Sequence, residues 1–140
     1  MNKKRDLGFR IEVIVMLVVF VAVIGTLTRL YAGADLESRR AAHLSDAVIL
    51  AANGAEVFMA AEDDEELLRI LDEADNAEKK ADHLLEVRYA EDRTPTEGGD
   101  FCLQIETKDS ADFREVTFRV SYQGEEIYEL TTGKVRGGER

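Results

Sequence analysis

Cysteine occurs once, at Cys102, so the chain forms no internal disulfide. That excludes the stapled scaffolds usual in small secreted eukaryotic domains and suits an extracytoplasmic bacterial protein folded around its own core. Proline also occurs once, at Pro95, so nothing from Met1 to Thr94 imposes the break that a proline puts into a helix. No Asn-x-Ser/Thr acceptor exists, because Asn2, Asn53 and Asn76 are followed by the wrong residues.

Histidine is equally sparse. His43 has Asp46 nearby, and His83 has Asp82 and Glu86, which are neighbours of the sort chance supplies. No His/Cys cluster offers ligands at metal-site spacing. Gly-rich phosphate loops, Gly-x-Ser-x-Gly and paired motif carboxylates are missing too. Neither enzymatic activity, a cofactor nor a metal site is expected. Cys102 lies between Phe101 and Leu103, so in a strand it points to the opposite face as a covered small hydrophobe or a free thiol.

Positive charge is scarce after the first dozen residues. Lys3, Lys4, Arg5 and Arg10 stand against Asp6 and Glu12, whereas the remainder carries 14 basic and 27 acidic side chains. An acidic surface argues against nucleic-acid binding. The basic start is the side that stays in the cytoplasm, which puts the acidic remainder outside the membrane.

Between them lies a run without charge, Val13 to Thr28. As a helix its 16 residues span about 24 Å, and Ile11, Leu30 and Tyr31 extend it toward a hydrocarbon core of about 30 Å. Arg29 snorkels to the interface, where Tyr31 also belongs. A cleaved secretory signal competes with this reading, since Ala32-Gly33-Ala34 precedes Asp35. Against it, Arg29 sits where the end of a signal is neutral, and the helical pattern continues past Ala34. A lipoprotein is excluded, because no cysteine ends the apolar run.

The stretch LGFRIEVIVMLVVFVAVIG carries a third reading. A short basic leader ending in Gly8, then Phe9, then an apolar helix with Glu12 near its start resembles type IV pilins and the pseudopilins of type II secretion systems. The resemblance implies cleavage between Gly8 and Phe9 by a prepilin peptidase and N-methylation of Phe9. It also implies assembly through the helix, with Glu12 paired to the N-terminal amine of a neighbouring subunit; such a pair offsets the desolvation of a carboxylate near lipid. Other pilin-like subunits, a membrane platform protein and a cytoplasmic assembly ATPase are the implied partners. The family places its Glu fifth in the mature chain, whereas Glu12 would be fourth; Arg10, and Leu7 before the Gly, also depart from its pattern. The alternative is an uncleaved single-pass anchor carrying a small extracytoplasmic binding or accessory module.

The rest of the chain is expected to fold outside. Leu44, Ala47, Val48, Ala51, Ala55, Phe58 and Met59 recur at three- and four-residue steps, an apolar stripe on a helix that continues to residue 60. Glu62-Asp63-Asp64-Glu65-Glu66 reads as the acidic opening of a second helix rather than a cation loop, with Leu67, Leu68, Ile70 and Leu71 as its buried side. From residue 84 the period becomes two, in Leu85/Val87/Tyr89, Phe101/Leu103/Ile105 and Val116/Phe118/Val120/Tyr122. Tyr122-Gln123-Gly124-Glu125 is a hairpin turn into a last strand, and Thr94 to Asp100 is a loop. The expected organisation is a cytoplasmic leader 1–8, a transmembrane helix 9–31 and an extracytoplasmic domain 32–140. That domain holds the helix continuation 32–60, a second helix 64–74 and strands within 84–135. The class is α+β, a long N-terminal helix packed on a small antiparallel sheet, as in pilins. The expected location is the bacterial cytoplasmic membrane, N-terminus inside, and by the resemblance a surface filament.

Overall fold

The structure, a computed structural model, describes residues 3–136. Met1, Asn2 and the tail from Gly137 to Arg140, where fraying is expected, lie outside them. Helix α1 runs Lys3–Ala60 and α2 Asp64–Asp75; β1 is Glu78–Ala81, β2 Leu84–Tyr89, β3 Phe101–Asp109, β4 Phe113–Tyr122 and β5 Glu125–Val135. The chain divides into two compact units, Met1–Ala41 and Ala42–Arg140.

The described part of the first unit is helix throughout. Its helix includes the basic leader, so α1 begins before Gly8 rather than at Phe9. Every side chain from Ile11 to Leu30 is exposed, and α1 is long and apolar enough to cross a membrane.

The second unit is the far end of α1, α2 and a five-stranded antiparallel meander in the order β1-β2-β3-β4-β5. Pairing between β3 and β4 keeps one register from Phe101↔Tyr122 to Asp109↔Arg114. Alternation therefore sends Leu103, Ile105, Val116, Phe118 and Val120 to one face, where all five are buried. Helix α1 covers this face with Ala47, Leu50, Ala51, Gly54 and Phe58, and α2 adds Leu67 and Leu71.

The apolar stripe on α1 is a correction to the sequence reading. Leu50 and Gly54 are buried, whereas Leu44, Val48 and Met59 remain 45%, 40% and 54% exposed. The apolar band is wider than the sheet can cover, and the sheet takes the side with the small residues. At Gly54 a methyl group would lie 3.0 Å from Phe118 Cε1 and 3.4 Å from Leu103 Cδ2, so the missing side chain permits this close approach.

Local chemistry sets the ends of α2. Asp63 accepts from Glu66 N at 2.8 Å, and Glu66 Oε2 accepts from Glu62 N at 2.8 Å, a reciprocal cap that satisfies two otherwise orphaned donors. At the far end Asn76 adopts a left-handed φ of 54°, with Asn76 N–H on Asp72 O and Ala77 N–H on Leu71 O. The β4–β5 turn has Gln123 at φ 49° and Gly124 at φ 85°, the primed geometry that matches strand twist.

The sheet begins earlier than expected, since β1 precedes residue 84. All four of its residues are exposed, so no buried alternation marks it in the sequence.

Candidate functional site

The three residues singled out in the leader region all lie on α1. Gly8 and Phe9 precede Glu12 by four and three positions, so the three share one side of the helix. All are exposed. The structure thus brings together the candidate processing bond and the candidate assembly carboxylate, in a backbone that is helical on both sides of Gly8–Phe9.

A second concentration of chemistry surrounds Arg114, in the second unit, and sequence reasoning missed it. Arg114 occupies an inward position of β4, two residues before Val116, and is only 2% exposed. Its Nη2 pairs with Asp64 Oδ1, its Nε lies 3.4 Å from Asp109 Oδ1, and its Nη1 donates to Glu62 O at 3.2 Å. Burial, and then the nearby charge of Arg136, pull the guanidinium below its ordinary value. Ion pairing to two carboxylates offsets that desolvation.

Lys134 projects inward from β5 to the same place. Its Nζ donates to Phe58 O at 3.0 Å and to Ala61 O. Helix α1 has no basic residue in its last turn, so the sheet supplies the positive charge that the carbonyl end of a helix favours. Both cations approach the Phe58 ring, Arg114 at 5.2 Å and Lys134 at 5.0 Å from its centroid. The signal in the sequence was period two itself: Arg114 continues the inward row of Val116 and Phe118, and Lys134 that of Leu130 and Thr132.

The histidines find partners that sequence proximity did not indicate. His43 stacks on Tyr122, ring centroids 3.9 Å apart, and meets Phe101 edge-on at 5.8 Å. His83, in the β1–β2 turn at φ 65°, places Nδ1 2.8 Å from Asp64 Oδ2. Thr107 Oγ1 donates to that same oxygen at 3.0 Å. Asp64, His83 and Asp109 bring ligand atoms to within 4.8 Å of one another and could hold a metal ion.

Cys102 lies on the outer face of the sheet, opposite Arg88 and Ser121. Burial, and then the Glu86 carboxylate, push its thiol up to about 11, so it stays protonated and a poor nucleophile.

No family model matches the chain, and no curated protein or solved structure matches it either. What stands is an architecture: a long N-terminal helix with an apolar, unburied first part, and a small antiparallel sheet packed against its second part.

Proposed function

We propose that the chain is a pilin-like structural subunit of a type IV pilus or a type II secretion-like pseudopilus, assembled through α1. The observation that carries this reading is the disposition of α1. Its residues from Ile11 to Leu30 bury nothing, while Glu12 is the one carboxylate among them, on the side that holds Gly8 and Phe9. In the second unit, Leu44, Val48 and Met59 of α1 are apolar side chains that the sheet leaves uncovered. Apolar surface on this scale calls for lipid or for other helices.

In this reading prepilin peptidase cuts after Gly8, Phe9 becomes the methylated N-terminus, and Glu12 meets the amine of the next subunit. A platform protein and an assembly ATPase complete the machinery. Mass spectrometry of the membrane-extracted protein should find N-methyl-Phe9. Replacing Glu12 by Ala should leave membrane insertion unchanged and abolish incorporation into filaments, scored in sheared-filament fractions. Normal incorporation of the variant would remove the proposed role of Glu12.

One observation favours a second reading, the uncleaved anchor with an accessory module. Helix α1 passes unbroken through Gly8–Phe9, where a peptidase needs an accessible backbone, and Glu12 stands one place short of the pilin position. An intact leader on the extracted protein would decide for it.

A further inference from the structure

We infer that the free edge of β5 is a docking surface for an extended segment of a partner protein, with apolar side chains at alternate positions and lysine or arginine between them. This inference does not depend on the filament reading. Among the described residues β5 pairs with β4 alone, so one side of its backbone offers a row of unpaired N–H and C=O groups. It is 11 residues long, whereas the opposite edge, β1, has four. A long edge is a template for another strand; a very short one is not.

The cover of the inner face runs out at this edge. Val116, Phe118 and Val120 of β4 are completely buried, but their partners across the ladder, Thr132, Leu130 and Tyr128, are only half-buried. Helix α1 leaves apolar surface on the same side. Its Asp46 reaches Arg93, and Ile49 and Asn53 line a cleft with Tyr89, so that flank faces β2. Leu44, Val48 and Met59 stand on the opposite flank, toward β5, whose Lys134 meets the helix end. A strand added to β5 therefore sets every second side chain against Tyr128, Leu130 and this flank, while its backbone completes the ladder.

Charge selects the occupant. Glu125, Glu126 and Glu129 stand on β5, and its one cation, Lys134, is turned toward the α1 carbonyls. Glu129 is matched by Arg119 at 2.9 Å, but Glu125 and Glu126 are exposed. A second copy would bring its own glutamates to the same edge, and like charges across a ladder oppose pairing. Basic residues between the apolar ones meet these carboxylates instead.

The probe is a fluorescein-labelled peptide of alternating lysine and valine, about nine residues long, titrated against the full-length chain in non-ionic detergent micelles. Fluorescence anisotropy should show saturable binding, and amide exchange should slow along β5 but not along β1. A peptide with its central valine replaced by proline keeps the charge, loses a strand donor and should bind at least about 10-fold more weakly. The double variant Val48→Gln/Met59→Gln exchanges two exposed apolar side chains for a good helix former. It should weaken binding by at least about 10-fold, with far-UV circular dichroism unchanged. No saturable binding, equal affinity for the proline peptide, or wild-type affinity in the double variant would overturn the assignment. So would β5 protection that rises with protein concentration alone, which would make a second copy the occupant.

Discussion

Arg114 is the residue whose replacement separates charge from volume. Truncation to Ala strands two carboxylates beside a cavity, whereas Met fills the space without a charge. Both variants break the buried ion pairs, at a cost of about 3–5 kcal/mol, and Arg114→Ala should lower the urea midpoint further than Arg114→Met because it also leaves a cavity. Equal losses in both would show that the ion pairs, not the packing, hold this corner. Tyr89 offers a pH test. Burial, and then its hydrogen bond to Asp75 at 2.9 Å, push the phenol far above its ordinary value. Below about pH 10 this contributes fully; above it only the unfolded chain releases the proton, so stability declines as the pH climbs toward the raised folded value. The decline should reach up to about 1.4 kcal/mol per pH unit, and Tyr89→Phe should flatten it in urea titrations between pH 9 and 11.

At the scale of elements, the end of α1 is held by groups from the sheet. Lys134→Met keeps the aliphatic stem but loses two bonds to helix carbonyls and a cation over Phe58. It should cost about 1–3 kcal/mol, read from thermal melts, and amide exchange should quicken first in the last turn of α1. A change confined to β5 would refute the capping role. The elements themselves were largely legible in the sequence. Alternation at Leu103/Ile105 and Val116/Phe118/Val120 is dictated by one buried face, and the acidic run Glu62 to Glu66 marks the start of α2, where negative charge suits the helix dipole. Strand β1 was not legible, because four exposed residues carry no pattern. Nor was the covered side of α1: Leu44, Val48 and Met59 obey the same three- and four-residue spacing as Ala47, Ala51 and Phe58, and only the sheet's position separates them. The meeting of Asp64, His83, Asp109 and Arg114 depends on strand register across long sequence separations, which local spacing does not encode.

At the scale of the molecule, the two units differ in what they ask of their surroundings. The fragment 42–140 contains the whole packed core and should remain in the aqueous phase in detergent partitioning, with a cooperative thermal transition. The full chain should enter the detergent phase. Aggregation of the fragment at neutral pH would show that the second unit relies on α1 residues before Ala42. One consequence of the Lys134 clamp concerns time rather than space. The ammonium that closes the end of the first helix is specified 76 residues after Phe58, whose carbonyl it serves. At a synthesis rate of about 5–20 residues per second, that interval is roughly 4–15 s. Throughout it Phe58 O and Ala61 O lack the donor that Lys134 supplies. This cap therefore forms only after β5 has been made. Chains released before β5 is complete lack the latch entirely.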